Sequence, residues 1–378
     1  MALKILINIT GHYVKSSHGM GFLHPGLFRI LYGRSYSEPL LYHEGKTENV
    51  VLSEVKDIDD EKARKYSTLI PKKATCKKKL EDFLLNKGAD QLTIDSVISR
   101  FPDAITRRCN DLPEVWKLWE NVLNTDEAVL AIIKRSPESF FRSGGVDKLS
   151  ENISFLKSLG LSQKILHQLM EKSPRTFSNS VQLNKQKVVF FRELCVSLGG
   201  EDPDTFVRQV ITNNIFILTR STKRMQANIE SIQSLLNLRD KHLLSWLKGE
   251  ASCILNICNM YLTENILHIQ QTMQSLGCLE ADVTQYICEN HSVLLLSPKI
   301  FTCKINLLLD CGADPKKILD TPLLLEVSLS SLRDKIKSLK QVNYDFKKKG
   351  LHVLVLYQSK FASRLERLSN LSKAEKQS

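Results

Sequence analysis

From about residue 49 onward, apolar positions recur at intervals of three and four, the mark of helices that bury one face. The segment TDEAVLAIIKRSP is typical: Val129, Leu130, Ile132 and Ile133 form the apolar stripe, and Thr125 stands at the N-cap position. Asp126 and Glu127 fall in the first turn, where carboxylates complement the helix dipole. No run alternates apolar and polar residues as a half-buried strand does, so the expected class is all-α.

Segments of this kind repeat. LLNKGADQLTIDSVISRFPDAI, LKSLGLSQKILHQLMEKSPRTF and MQSLGCLEADVTQYICENHSVLL share a helix ending in Gly, a polar link, a second helix, a stop and a short apolar tag. Taking the stop as phase marker gives Ser67, Pro102, Pro137, Pro174, Ile215, Ala251, Ser292 and Pro322, at spacings of 35, 35, 37, 41, 36, 41 and 30. Only four of these are proline, so the later markers rest on the apolar pattern around them. Such helix pairs stack on their neighbours into a solenoid, because one pair alone cannot cover its apolar face. Proline stops the second helix by lacking an N–H and crowding the preceding turn. The tags ESFF, RTF and FIL are then expected to form brief 3₁₀ turns that plug the core. An irregular helical bundle is the competing architecture.

The phase also organises charge. Five residues past the markers stand Lys72, Arg107, Arg142, Asn179, Arg220, Asn256, Ser297 and Val327, and four of the first five are basic. Equal phase in a solenoid means one side, so these residues predict a stripe suited to the phosphates of a nucleic acid. Arg108, Lys134, Arg135, Arg175, Lys223, Arg224 and Lys299 lie near the same loops. Taken singly, each is equally explained by solvation of an exposed loop; the phased set favours binding.

Composition agrees with this reading. The 378 residues carry a formal charge of +12, which points to a polyanionic partner or an import signal. Residues 1–36 hold Lys4, Lys15, Arg29 and Arg34, several serines and no Asp or Glu, the make-up of a mitochondrial transit peptide. The alternative is a disordered basic tail. Removing this segment leaves +8, so the basic character is partly intrinsic to the rest. The expected organisation is a transit peptide over 1–36, a flexible linker over 37–48, one binding domain over 49–370 and a disordered tail over 371–378. Nine cysteines without a C-x-x-C pair argue against structural zinc and a disulfide framework, leaving reduced thiols as the expectation. No P-loop, G-x-S-x-G or H-E-x-x-H occurs, and the histidines show no ligand spacing, so a binding protein without cofactor or metal is expected rather than an enzyme.

The proline-stopped repeats, with SPESFFRS, SPRTFSNSVQLNKQ and STKRMQANIE in order, resemble the mitochondrial transcription termination factor (mTERF) family over roughly residues 49–370. The resemblance implies a monomeric superhelix, a half-ring in which each repeat is two α-helices and a 3₁₀ helix, with a basic groove for duplex mitochondrial DNA. It further implies binding in a leucine tRNA gene beyond the ribosomal RNA genes, unwinding, base flipping and arrest of the mitochondrial RNA polymerase machinery. By the same likeness Arg135, Phe216 and Tyr261 match the residues that stack on everted bases, and Arg142, Arg175 and Arg224 match DNA-contacting arginines. Lys360 stands where an arginine is expected, and Leu323 replaces another, which puts base reading by the last repeats in doubt. Two other functions fit the same pattern: a ribosomal RNA-binding paralogue acting in ribosome assembly, and a protein-binding helical scaffold.

Overall fold

The structure is a computed structural model that describes residues 60–374 apart from 108, 109 and 143. The expected transit peptide and linker, Arg108, and residues 375–378 of the expected tail lie outside the described residues. The described residues form helices and no strand.

Eight three-part units follow one another. Their first helices are Asp60–Asn86, Leu112–Leu123, Val146–Ser158, Val181–Ser197, Thr222–Leu236, Asn259–Ser275, Pro298–Leu309 and Leu329–Gln341. Their second helices are Gln91–Arg100, Asp126–Arg135, Gln163–Lys172, Pro203–Asn213, Asp240–Lys248, Glu280–Glu289, Pro315–Leu319 and Phe346–Lys349. The short third elements are Ala104–Arg107, Pro137–Phe141, Arg175–Ser178, Ile217–Thr219, Glu250–Asn256, His291–Leu295, Pro322–Glu326 and His352–Val355. A final helix, Gln358–Ala374, closes the array and passes the expected domain end at 370.

The expected solenoid shows in the contacts. Each short element packs on the short element of the next unit, from Ala104–Arg107 through to His352–Val355, as one unbroken row. The first three close as single α turns and the other five as 3₁₀ helices, so the expected 3₁₀ form fails for ESFF and RTF. The plug role holds: Phe140, Phe141, Phe177, Ile217 and Leu218 are buried. The marker at Ser67 falls inside the Asp60–Asn86 helix and stops nothing, while the unit ending in His352–Val355 went unmarked.

A stricter phase marker lies at the other end of each unit. Every first helix gives way to a left-handed residue: Gly88, Asn124, Gly160, Gly199, Asn237, Gly277, Gly312 and Asn343. Glycine adopts this conformation freely, and asparagine is the side chain that best tolerates it. The reversal it makes is what lets the second helix fold back antiparallel.

A second regularity is polar and buried. The seventh residue of six first helices is Asn152, Lys187, Asn228, Asn265, Lys304 or Lys335, all nearly inaccessible. Each reaches carbonyls that the short element of its own unit leaves open. Asn152 Nδ2 donates to Asn179 O at 2.9 Å, Asn228 Nδ2 to Ile257 O at 3.0 Å, and Asn265 Nδ2 to Leu294 O at 2.8 Å. Lys335 Nζ donates to Leu354 O and Leu356 O at 2.9 and 2.6 Å, Lys187 to Leu218 O and Lys304 to Leu325 O. Buried carbonyls demand a donor, so these residues fix each short element against its first helix.

The lysines carry a cost. Burial, then the nearby Arg175 charge, pull Lys187 down to about 8; burial, partly opposed by Glu326, does the same to Lys304. Between pH 8 and 10.5 the unfolded chain therefore holds more protons at these sites, and their contribution to stability rises with pH across that window. Lys304→Met removes the titration. Its melting temperature relative to wild type is expected to fall between pH 7.5 and 9.5, whatever the offset at pH 7.5, as thermal melts at both pH values would show.

Among the thiols the expectation needs one correction, because Cys76 is disulfide-bonded. Cys195, Cys253, Cys258, Cys278, Cys288, Cys303 and Cys311 are free, and burial pushes Cys253 up to about 12, which keeps it an unreactive thiol.

Candidate nucleic-acid interface

The phased residues gather at the junction where a short element hands over to the next first helix. Arg142, Asn179, Arg220 and Val327 each cap a short element. Arg107 and Asn256 are the last residues of theirs, and Ser297 is the N-cap of the following helix. The residues that close the later elements are Ile257, Leu296, Val327 and Leu356, all apolar. The polar stripe therefore belongs to the N-terminal half, and the uneven late markers had masked this.

Two of its arginines share a ring. The guanidinium of Arg142 lies over Phe101 at 5.2 Å and that of Arg107 over the same ring at 5.8 Å. Phe101 in turn stacks on Phe141 at 6.3 Å, so the core of the first two units sets where Arg142 stands. Arg107 is paired with Asp103 at 3.2 Å, which offsets its charge. Arg142, Arg175 and Arg224 have no carboxylate within ion-pair distance among the described residues.

Arg220 is held by the next unit and Arg224 by the short element of its own. Arg220 Nε donates to Asn256 Oδ1 at 3.4 Å, and Arg224 Nε to Ile257 O at 3.0 Å. For Arg224 the neutral carbonyl fixes the side chain without cancelling its charge. Arg175 is exposed and its charge is close enough to depress the buried Lys187.

The residues matched to base stacking lie in three units. Arg135, the last residue of its helix, is exposed and donates to Glu171 O in the next unit, as Arg100 does to Lys134 O one unit earlier. That bond uses the edge of the guanidinium and leaves its flat faces for other contacts. Phe216 is the N-cap of Ile217–Thr219 and only half-buried, because Ile217 and Leu218 fill the core in its place. Tyr261 is exposed and is the third residue of its first helix. Arg224 and Lys360 are also third residues of theirs, so Arg224, Tyr261 and Lys360 form a second row that spacing from the stops did not reveal.

The two ends of the helix pairs differ in their caps. Seven of the eight second helices begin at carboxylates, Gln163–Lys172 with its Ser162 cap being the exception: Asp90 caps Thr93 N at 2.8 Å, Asp202 caps Thr205 N at 2.9 Å, Asp314 caps Lys316 N at 2.9 Å and Asp345 caps Lys347 N at 3.0 Å. Asp126, Asp240 and Glu280 open three more. First helices begin at Ser180, Ser221, Ser297 and Ser328, whose hydroxyls cap at 3.2–3.4 Å. From Val181 onward no first helix has Asp or Glu in its first turn. The positive ends of those helix dipoles are thus left unneutralised on the same rim as the arginines.

The mTERF family model matches residues 60–362, which is most of the chain. The chain belongs to the mTERF family. It is 39% identical to mouse mitochondrial transcription termination factor 1b over 305 residues, 81% of this chain and 80% of that one. It is 37% identical to human mitochondrial transcription termination factor 1 over 346 residues, 92% of this chain and 86% of that one. With human mitochondrial transcription termination factor 2 the identity is 25% over 272 residues, 71% of this chain and 69% of that one. The eight units are therefore mTERF repeats, and the Ser-capped rim is a property of this mTERF chain's first helices. No group of His, Cys, Asp and Glu among the described residues could hold a metal, and no described helix is long and apolar enough to cross a membrane.

Proposed function

We propose that this mTERF protein binds duplex mitochondrial DNA as a monomer and terminates transcription. The carrying observation is the rim on which Arg142, Arg175 and Arg224, without carboxylate partners among the described residues, lie along the junctions between units, the later of which open on helix N-termini capped by serine hydroxyls. Phosphates bound along this rim would set the register, and guanidiniums reaching guanine O6 and N7 would read sequence, each pair discriminating by about 1–3 kcal/mol. Arg220, and Lys360 near the end of the array, add phosphate contacts; Arg107 adds less because of Asp103. The relatives with the higher identities are named as termination factor 1, which supports termination over the ribosomal RNA-binding reading and supports a mitochondrial location.

On this reading the site lies in the leucine tRNA gene past the ribosomal RNA genes, and binding unwinds the duplex. The exposed faces of Arg135 and Tyr261 and the half-buried ring of Phe216 suit everted bases, since stacking is worth about 1–3 kcal/mol per base. The test is fluorescence anisotropy with the leucine tRNA-gene duplex, a scrambled duplex and ribosomal RNA over a salt series. Preference for the first is expected; equal affinity for both duplexes would end the specific-terminator reading. With 2-aminopurine at the everted position, emission should rise on binding, and Arg135→Ala should reduce that rise while leaving binding to single-stranded DNA intact.

A further inference from the structure

From Ser180 onward the junctions between short elements and the helices that follow align residue for residue, and two of them, at Cys258 and at Tyr357, lack the capping hydroxyl. The N-cap column reads Ser180, Ser221, Cys258, Ser297 and Ser328, and then Tyr357, whose carbonyl accepts from Phe361 N at 2.8 Å. A tyrosine cannot cap a helix through its side chain, so this unit gives up the capping bond that four others make. The ring is 81% exposed, the most exposed large hydrophobic side chain among the described residues.

Its surroundings point to the ligand. Lys360, three residues on and one helical turn away, is exposed and stands in the row of Arg224 and Tyr261. The Gln358–Ala374 helix has no acidic residue in its first turn. A bare aromatic face beside an unpaired ammonium is the pairing that takes up a stacked base and its phosphate together. A protein partner with a basic surface would meet like charge here.

We infer that Tyr357 is a base-stacking residue of the nucleic-acid interface, with Lys360 holding the adjoining phosphate. The inference rests on the proposed nucleic-acid binding and extends the interface to the end of the array, where the apolar Ile257, Leu296, Val327 and Leu356 have replaced the arginine stripe. It also assigns a contact role to a repeat in which Leu323 stands where an arginine was expected.

The variant Tyr357→Ser restores the column's serine and so separates folding from binding. With a fluorescein-labelled leucine tRNA-gene duplex and the full chain, Tyr357→Ser is expected to weaken binding at least about fivefold, while its melting temperature stays level or rises. Tyr357→Phe, which keeps the ring, should bind as wild type. The salt slope should be unchanged in Tyr357→Ser and shallower by about one in Lys360→Gln, because stacking releases no counterion and a phosphate contact does. Wild-type affinity in Tyr357→Ser, or an equal loss in Tyr357→Phe, would overturn the inference. So would unchanged DNA affinity in Tyr357→Ser together with lost retention of the mitochondrial RNA polymerase, which would make the ring a protein contact. If wild type binds scrambled duplex equally well, sequence-specific termination fails; a fivefold loss in Tyr357→Ser on either duplex still supports the stacking contact.

Discussion

Replacing Arg142, Arg175 and Arg224 together with glutamine is expected to lower affinity for the leucine tRNA-gene duplex by at least about a hundredfold at moderate salt and to flatten the salt slope by about three. Each of these guanidiniums stands without a carboxylate among the described residues, so its charge is available to a phosphate, and each contact would release about one counterion. Glutamine retains much of the side chain's length and its capacity to donate, which makes charge the variable. Arg107→Gln supplies the internal control: with Asp103 at 3.2 Å already offsetting the charge, its loss should alter the slope by much less than one. Anisotropy titrations at four salt concentrations would check both. A triple variant that retains the wild-type slope would remove this rim from the interface.

Phe140→Ala is expected to destabilise the protein by about 3–5 kcal/mol, the cost of deleting a fully buried aromatic side chain and leaving its cavity. The ring is edge-on to Trp116 at 5.9 Å and to Phe141 at 5.1 Å and tilted on Trp119 at 5.6 Å, so it joins the second unit's short element to its first helix. Because Phe141 positions Phe101 and Phe101 carries Arg142, the same variant should also weaken duplex binding at a temperature where it remains folded. Denaturant melts followed by anisotropy would separate the two effects. A loss below about 1 kcal/mol would mean that neighbouring units collapse into the space, as a loosely coupled array could.

The legibility of the fold in the sequence varied with the kind of signal. Proline is a covalent constraint on the backbone, so Pro102, Pro137 and Pro174 marked their stops correctly. Ile215, Ala251 and Ser292 carry no such constraint, and the phase drifted by a residue after Arg220, enough to hide that the stripe turns apolar. The stronger marker was present but written in two letters: Asn124, Asn237 and Asn343 do the work of Gly88 and Gly160, and a search for glycine alone passes over them. The buried Asn and Lys at the seventh helical position were also unread, because a polar residue on an apolar face looks like a break in the pattern until its carbonyl partners are known. For the interface, the phased arginines could be found by counting. That Arg224, Tyr261 and Lys360 share a row could not, since their helices start at unequal distances from the stops.

From Val181 onward the unlike caps at the two ends of the helix pairs bear on how an encounter begins. In this part of the array aspartates stand at the starts of second helices, and serine hydroxyls and bare helix N-termini at the starts of first helices, an uneven distribution of charge across the pairs. In the field of a polyanion an uneven charge distribution of this kind favours approach with the basic edge forward. Collisions in the wrong orientation are thereby discarded during diffusion, and the benefit fades over the roughly 8 Å screening length of physiological salt.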